Sequence, residues 1–471
     1  MNKIPLHWQI FIALIAAVIF GIIFNTKYVL DEDSLNNISL QIKDKEVIAQ
    51  LKNISGKEFE SKSSLINELE KILSDESLIK YRTIIIKQAY NNPPLAWISW
   101  MGDIFLRGLK MLVIPLIITS IISGITSIGT GKSLGRLGFK TVIYYLVTSL
   151  LAIINGLLLV NMISPGKGKE FDIPGEFEVL HGSQQSIKEM LVNIVPSNIF
   201  QSLVSNDLLS ILFFTILVGV FILRLPPGSR NTLVNFFNAT YDLFMKMTMF
   251  VILLAPLGIF GLVAKVVADQ DNLMEMVYQL GKFSLTVLLA LFIHSFFIIP
   301  LIVIIIGKTS IYKHFKNMGT ALLTAFSTAS SAATLPLTMK STGEKTGVSQ
   351  KITNFTLPIG TTVNMDGTAI YISIVVIFIA QVYGIDLAMK QQLVILLTAL
   401  LASIGTAAIP MGSLILMTLI LTSVGVPLQG ISLIFPVDRI LDMFRTTTNV
   451  WSDSCGAVVI AKTEGETFKT D

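Results

Sequence analysis

The chain has 471 residues, of which 52% are hydrophobic and only 14% are charged. That composition is too apolar for a soluble globular protein of this length and predicts a membrane protein. The formal net charge of +4 comes from Lys and Arg residues scattered over many loops, so we expect no nucleic-acid partner.

Apolar runs recur along the chain, and a hydrocarbon core about 30 Å thick needs about 20 apolar residues per helix. We predict eight spanning helices, near residues 8–27, 95–127, 137–163, 192–225, 232–267, 276–307, 351–382 and 431–461. The first run lacks a small-residue cleavage site, which favours a retained span over a signal peptide. Basic residues lie on alternate sides of successive spans, so the positive-inside rule predicts that both termini are cytoplasmic.

The first two predicted spans are separated by a hydrophilic segment, residues 31–90, which must lie in water. By the same orientation rule we expect it outside the cell. Residues 63–81 carry aliphatic side chains at helical spacing and predict one short amphipathic helix. Two roles stay open for the segment, a partner-binding or gating element and a solvated decoration, and we favour the decoration.

Two further apolar stretches, near 317–340 and 391–423, are each interrupted by small and hydroxyl residues followed by a proline. Non-helical backbone survives at membrane depth only where it is buried in protein or lines a watery cavity. We therefore predict two re-entrant hairpins whose tips meet at a binding site, as an inverted repeat of hairpin plus helix would produce. The alternative is ordinary close packing of helices through small residues.

The last predicted span carries a polar stripe, although charges at bilayer depth are costly and mark functional sites. At about 100° per residue its members fall within an arc of roughly 80°. They are Asp438, Asp442, Arg445, Asn449 and Asp453. Arg445 offers a fork of donors suited to a side-chain carboxylate, and Asp442 can accept from an amine. The stripe predicts a site for an acidic amino acid, with a purely structural Asp442–Arg445 ion pair as the alternative.

The preceding predicted span contains Asn364 and Asp366 between Gly360 and Gly367, which indicates a helix break. Unwinding frees backbone carbonyl groups, and carbonyls with one carboxylate are the hard oxygen ligands that a sodium ion requires. The break therefore predicts a cation site.

Other kinds of chemistry find little support in the sequence. The four histidines are isolated along the chain, and we expect structural or interfacial roles for them. They are His7, His181, His294 and His314. The chain has no P-loop and no nucleophile–base–orienter set at recognisable spacing, so we expect neither direct use of ATP nor an enzyme.

Four ordered motifs resemble those of the glutamate transporter family, the dicarboxylate/amino acid:cation symporters. They are Ser330-Ser-Ala-Ala-Thr-Leu-Pro336, Asn364-Met-Asp-Gly-Thr368, Ala402-Ser-Ile-Gly-Thr406, and Asp442-Met-Phe-Arg-Thr-Thr-Thr-Asn449 with Asp453. The resemblance covers nearly the whole chain except residues 31–90. It implies an all-α polytopic membrane protein with eight transmembrane helices, two re-entrant helical hairpins and inverted repeats, assembled as a homotrimer in the cell membrane.

The resemblance also implies symport of glutamate or aspartate into the cell with sodium ions, by an elevator-type motion of a transport unit against a scaffold. Proton-coupled symport of a dicarboxylate or glutamate is the alternative. The implied divisions are helix 1 (1–30), the insertion (31–90), scaffold helix 2 (91–135), transport helix 3 (136–165), an outer loop (166–190), scaffold helices 4 and 5 (191–270), transport helix 6 (271–309), hairpin 1 (310–345), helix 7 (346–385), hairpin 2 (386–425), and helix 8 with the cytoplasmic tail (426–471).

The site residues that the resemblance implies are a substrate set and three sodium sets, with no prosthetic group. The substrate set is Ser330, Ser331, Thr368, Ile409, Pro410, Met411, Gly412, Ser413, Asp442, Arg445, Thr446 and Asn449. The sodium sets are Gly360, Asn364, Asn449 and Asp453; then Thr362, Met365, Ser403, Ile404 and Thr406; then Asn364, Asp366, Tyr145, Thr148 and Ser149. Members of the family usually carry an arginine at one of two positions that are Ala329 and Met443 in this chain. The sequence therefore leaves Asp438 without an assigned partner.

Overall fold

The computed structural model describes residues 6–126, 132–168, 192, 194–205, 208–270, 272–403 and 413–467. The first part comprises α1 (Leu6–Ile23), β1 (Lys27–Val29), α2 (Glu32–Gln41), α3 (Lys45–Lys52), β2 (Glu58–Phe59), α4 (Lys62–Ile72), α5 (Asp75–Ala89), β3 (Tyr90–Asn91), α6 (Pro93–Thr126), α7 (Lys132–Ile163), α8 (Ile199–Ser205), α9 (Leu208–Ile222), α10 (Pro227–Leu253) and α11 (Ala255–Ala268). These ranges are mostly helical, as an apolar chain that must satisfy its own backbone in lipid requires.

Among the described residues from 272 onward, every regular element is helical. This second part comprises α12 (Leu273–Ile293), a π-helical turn (His294–Ile298), α13 (Ile299–Ile302), a second π-helical turn (Val303–Gly307), α14 (Ile311–Thr328), α15 (Ser331–Lys340), a third π-helical turn (Ser341–Thr346), α16 (Gln350–Val363), α17 (Asp366–Val382), α18 (Met389–Ser403), α19 (Ser413–Ser423), a 3-10 turn (Leu428–Gly430) and α20 (Ile431–Thr463). The first two π-helical turns lie on either side of Pro300, which has no N–H to donate.

Several helices are suited to a bilayer. In the described ranges, the segments long and apolar enough to cross one are Pro93–Thr126, Arg136–Ile163, Leu273–Gly307 and Gln350–Val382. Helices α10 and α11 together provide one more, bent by 51°. Large apolar side chains stand exposed along Leu273–Gly307, among them Leu285, Phe297 and Ile305. An exposed apolar face of this kind fits contact with lipid, and the chain is a multi-pass membrane protein.

Two groups of helices share the apolar core. One group consists of α1, α6, α9, α10 and α11, and in the other α7, α12 and α20 surround α17. Nearly every residue of α17 is buried, including small, apolar and polar ones. A helix that is buried on all sides can hold polar groups only where neighbouring elements satisfy them, so its polar residues indicate a site.

The first interrupted stretch forms a helix–turn–helix. Helices α14 and α15 pack against each other and are joined by Ala329 and Ser330. Ala329 is left-handed, with φ of 49°, a conformation that costs a non-glycine residue energy. Ser330 caps α15 because its hydroxyl accepts from the N–H of Ala333 at 3.2 Å. In the second stretch α18 and α19 also contact each other, and the connecting residues 404–412 lie outside the described ranges.

The predicted helix break is confirmed. Helix α16 ends at Val363 and α17 begins at Asp366, which leaves Asn364 and Met365 in non-helical conformations between them. The break lies inside the Gln350–Val382 segment, at a depth where backbone groups are costly to leave unpaired. It therefore places the side chains of Asn364 and Met365 in the protein interior.

Residues 27–91 form a small domain with its own core. Strand β1 lies between β2 and β3, with Tyr28 opposite Phe59 on one side and Tyr90 on the other. Its most buried aliphatic residues are Leu30, Ile38, Ile42, Leu51, Leu65, Leu69 and Ile85. The prediction of one helix over residues 63–81 is wrong, because α4 ends at Ile72 and Ser74 caps a separate helix, α5. Ser74 and Leu73 therefore form a turn that hydrophobic spacing alone does not reveal.

A buried carboxyl group joins this domain to the long helices. Asp269, just beyond the end of α11, accepts through Oδ1 from the hydroxyls of Thr26 at 2.5 Å and Tyr90 at 3.1 Å. Burial raises the pKa of Asp269 to about 6, against the opposing effects of the Thr26 hydrogen bond and the charges of Lys265 and Lys62. Asp269 therefore binds a proton more tightly in the folded protein than in the unfolded chain.

This junction gives a pH prediction. An exposed aspartate has a pKa of 3.8, so the stability that protonated Asp269 contributes to the folded protein is complete below that pH. This contribution is lost as the pH rises through about 6. We expect the unfolding free energy in detergent to fall by on the order of 1–3 kcal/mol between pH values of about 4 and 8. Asp269→Asn should remove most of that slope in thermal denaturation; an unchanged slope would contradict the assignment to Asp269.

Candidate functional site

Arg445 lies at the centre of the polar stripe and is only 1% exposed. Its Nη1 donates to Ser413 Oγ at 2.9 Å, which ties α20 to the start of α19. Its Nη2 donates to Asp438 Oδ1 at 3.0 Å and to Asp442 Oδ1 at 2.9 Å. A buried guanidinium needs such partners, because an uncompensated charge in the interior is strongly destabilising.

Asp438 has two partners that sequence analysis did not assign. One is Arg445, and the other is Tyr371, whose hydroxyl donates to Asp438 Oδ1 at 2.7 Å. The Tyr371 ring also lies under the guanidinium of Arg445, with 3.7 Å between the ring centroid and Cζ. Tyr371 therefore contacts two of the charged groups of the stripe, Asp438 and Arg445. Asp438 therefore has partners without an arginine at position 329 or 443.

Asp442 receives positive charge from two residues of its own helix. Besides Arg445, the guanidinium of Arg439 approaches it, with 3.5 Å between Nη1 and Asp442 Oδ2. Arg439 stands three residues before Asp442, a spacing that brings side chains together on a helix. That spacing could have revealed Arg439 from the sequence. The Asp442–Arg445 pair, which we considered as a structural alternative, is present within this larger network.

Asn449 links α20 to the start of α17. Its Oδ1 accepts from the N–H of Gly367 at 2.7 Å, and its Nδ2 donates to Thr368 Oγ1 at 3.3 Å and lies 3.2 Å from Met365 Sδ. A Cβ at Gly367 would clash with the carbonyl oxygen of Arg445. Glycine is therefore required where the two backbones meet.

A second polar cluster surrounds Asn364, which is fully buried at the break. Its Nδ2 donates to Asp453 Oδ1 at 2.9 Å and to Ser452 Oγ at 3.0 Å, and its Oδ1 accepts from Thr148 Oγ1 at 3.2 Å. A Cβ at Gly360 would lie 2.6 Å from Asp453 Oδ1. The cluster thus brings amide, hydroxyl and carboxyl oxygens from α7, the break and α20 to one place.

Asp366, also fully buried, lies beside this cluster at the start of α17. Its Oδ1 accepts from Ser149 Oγ at 2.7 Å, and its Oδ2 accepts from Ser452 Oγ at 2.6 Å. Nε2 of His294 is 3.1 Å from the same Oδ2. Nearby, the hydroxyl of Tyr145 donates to the carbonyl oxygen of Thr356 at 2.9 Å. Four of the five residues assigned to the third sodium set therefore lie within this network: Asn364, Asp366, Thr148 and Ser149.

The remaining predicted residues divide into those that are described and those that are not. Ser331 and Thr446 are buried, and Ser330 caps α15. The hydroxyl of Thr362 donates to the carbonyl oxygen of Ile359 at 3.1 Å. Ser403 closes α18, but its side chain is not described. Residues outside the described ranges are Ile404, Thr406, Ile409, Pro410, Met411 and Gly412. The substrate residues of the second hairpin are thus represented only by Ser413.

Two buried histidines have specific partners. His294 contacts Asp366, and His314 lies 3.0 Å from Thr346 Oγ1 and 3.1 Å from Ser454 Oγ. The expectation of a structural role suits His314. The same expectation overlooked the contact of His294 with a predicted ion ligand, because 72 residues separate the two in sequence and no local spacing signals it.

Within the described part of the chain, no group of three or more His, Cys, Asp or Glu residues is placed to hold a metal ion. The buried oxygens around Asn364 and Asp366 come mainly from neutral hydroxyl and amide groups with single carboxylates. Such a donor set suits an alkali cation better than a transition metal.

The family follows from comparison with known proteins. A sequence model described as the sodium:dicarboxylate symporter family matches residues 6–463. The chain belongs to this family. It is therefore a transporter and not an enzyme, and a membrane protein of the symporter class.

Relatives within this family are similar over most of their length. The proton/sodium-glutamate symport protein of Bacillus subtilis (strain 168) is 38% identical over 80% of this chain and 88% of that protein. The proton/glutamate-aspartate symporter of Escherichia coli (strain K12) is 36% identical over 78% of this chain and 85% of that protein. Excitatory amino acid transporter 3 of Bos taurus is 33% identical over 78% and 79%, respectively.

The contact at Gly367 gives a stability prediction. Gly367→Ala would force α17 away from the Arg445 backbone and should lower the unfolding free energy by about 1–3 kcal/mol. Gly281→Ala in α12 is the matched control, because nothing lies within 4 Å of a Cβ there and alanine favours a helix. Thermal denaturation in detergent measures both variants. Equal stability of Gly367→Ala and the wild type would contradict the close packing.

Proposed function

We propose that the chain is a secondary active symporter that moves glutamate or aspartate into the cell together with sodium ions. The observation that carries this proposal is the buried guanidinium of Arg445, held between Asp438, Asp442 and Ser413. Its Nε has no hydrogen-bond partner among the described residues. A planar fork of donors in a membrane protein's interior is suited to bidentate binding of a carboxylate.

The residues around Arg445 suit the other end of an amino acid. Asp442 can accept from the α-amine, and Thr446 and Asn449 lie on the same stretch of α20. The start of α15, with Ser331 buried, offers backbone N–H groups to the α-carboxylate. The side-chain carboxylate of glutamate or aspartate would then face Arg445, and a neutral amino acid would leave the guanidinium without that partner.

Sodium would be bound around the break between α16 and α17. In our proposal, Asn364, Asp453 and the carbonyl groups near Gly360 hold one ion, and Asp366 with Thr148 and Ser149 holds another. A third ion would lie under the second hairpin, at Thr362, Met365 and the end of α18. Hard oxygen donors of this kind match sodium, and no prosthetic group is needed.

Sodium and substrate would be coupled through two shared elements. Asn449 contacts both Gly367 and Thr368, while Asp453 contacts Asn364 about one helical turn further along α20. An ion that orders the break would therefore also order residues that contact the substrate. Binding that organises a neighbouring site raises the affinity of the next ligand, and the effect is reciprocal.

The wider arrangement follows the family resemblance. We propose eight spanning helices with two re-entrant hairpins, in which α7 and the helices from α12 to α20 move like an elevator against the group around α6. The protein would be a homotrimer in the cell membrane with both termini in the cytoplasm. The contacts of α7 with α17, and of α20 with α14, α16 and α17, support treating these helices as one moving unit.

Arg445→Thr tests the substrate assignment. We expect uptake of labelled glutamate and aspartate into proteoliposomes to fall by more than about 100-fold, because a buried charge-assisted pair with the substrate is lost. Arg224→Thr is the control, since Arg224 lies beyond α9 with its guanidinium over the Phe221 ring. Acidic uptake that persists in Arg445→Thr would refute the role given to Arg445.

Replacing sodium by choline separates the two candidate coupling ions. Proton coupling is the second candidate because the Escherichia coli relative is named a proton/glutamate-aspartate symporter. We expect uptake by the wild-type protein to fall at least about tenfold in choline, since the oxygen sites would lose their cation. Uptake that continues in choline and follows an imposed proton gradient would instead establish the proton-coupled alternative.

A further inference from the structure

His294 is fully buried and begins the π-helical turn that follows α12. In this turn the N–H of Ile299 donates to the carbonyl oxygen of His294, five residues earlier in the chain. In a regular α-helix the acceptor is four residues earlier. Pro300 has no N–H and cannot continue the regular ladder, which favours an irregular turn at this point. Such π-helical turns are frequent at functional sites, because the extra residue changes which side chains face a neighbouring helix.

The turn is held firmly against α20. Trp451 Nε1 donates to the carbonyl oxygen of Ser295 at 3.0 Å, and the hydroxyls of Ser295 and Thr448 lie 3.1 Å apart. These contacts fix the backbone beside His294. The backbone that carries the buried imidazole of His294 is therefore held in place by α20.

Three elements converge on the carboxyl group of Asp366. Ser149 of α7 donates to Oδ1, whereas Ser452 of α20 and the imidazole of His294 both meet Oδ2. A carboxylate only accepts hydrogen bonds, so we assign the imidazole proton to Nε2. Nδ1 is buried and has no partner among the described residues, and the lone pair that remains there is tolerated better than an unpaired N–H.

We propose that His294 is a positioning residue for the sodium ligand Asp366. By donating to Oδ2 beside Ser452, it fixes the rotation of the carboxyl group and directs Oδ1 toward Ser149 and the cation. This inference rests on the proposed sodium coupling. Groups that orient a metal ligand in this way commonly change metal affinity by about 10- to 100-fold when they are removed.

The test measures the sodium concentration that gives half-maximal aspartate uptake in proteoliposomes. In His294→Leu we expect this concentration to rise by about 10- to 100-fold, while the substrate KM at saturating sodium changes less than about threefold. His294→Gln can place an N–H donor near the position of Nε2 and should restore most of the sodium affinity. A general packing defect would not be rescued by glutamine in this selective way.

Ser295→Ala is the matched control, because it removes a hydrogen bond between the same turn and α20 without touching Asp366. We expect its sodium dependence to match that of the wild type, because Trp451 still donates to the backbone carbonyl of residue 295 and holds the turn in place. If His294→Leu does not fold, His294→Gln is compared with His294→Asn, whose shorter amide cannot reach Asp366. A raised sodium requirement in Asn but not in Gln supports the inference.

Failure of the proposed sodium coupling and failure of the role given to His294 would produce different results. A wild-type protein whose uptake ignores sodium would refute the proposed coupling, and the inference with it. A sodium-dependent wild type with an unchanged sodium midpoint in His294→Leu, or in His294→Asn, would overturn the role of His294 alone.

Discussion

The site depends on the burial of one guanidinium in an apolar protein. Arg445 is excluded from solvent, so its charge must be balanced by groups that the fold supplies. Asp438, Asp442, Ser413 and the ring of Tyr371 supply them, and they come from α17, α19 and α20. The same requirement would explain the proposed selectivity for acidic substrates, because a substrate carboxylate could share the guanidinium whereas a neutral side chain could not.

The packing of α17 against α20 connects this arginine to the cluster around Asn364. Gly367 allows the two backbones to approach, and Gly360 leaves space beside Asp453. The helix break lies between these glycines and carries Asn364 into the interior. Ser452 then joins Asn364 to Asp366, since its hydroxyl accepts from Asn364 and donates to Asp366. Ion binding and substrate binding would therefore act on the same short length of α17.

Local patterns in the sequence predicted the stripe on α20 and the break after α16, because helical periodicity and paired glycines act over a few residues. Contacts between distant segments could not be predicted in this way. The contacts of Tyr371 with Asp438 and of His294 with Asp366 are examples, because the partners lie 67 and 72 positions apart in the sequence. Residues 31–90 were predicted as a hydrophilic segment, but the small domain at residues 27–91 depends on strands that pair across 31 and 62 residues (Tyr28 with Phe59 and Tyr90). Its helix boundary at Ser74 comes from a cap and not from apolar spacing.

Calorimetric binding to the purified wild-type protein tests the central claim most directly. Glutamate, aspartate and their amides, glutamine and asparagine, would each be titrated in sodium and in choline, so that only the side-chain charge and the cation change. We expect the acids to bind in sodium, the amides to bind at least about 100-fold more weakly, and every ligand to bind weakly in choline. Equal affinity for acids and amides in sodium would contradict the role of the buried guanidinium.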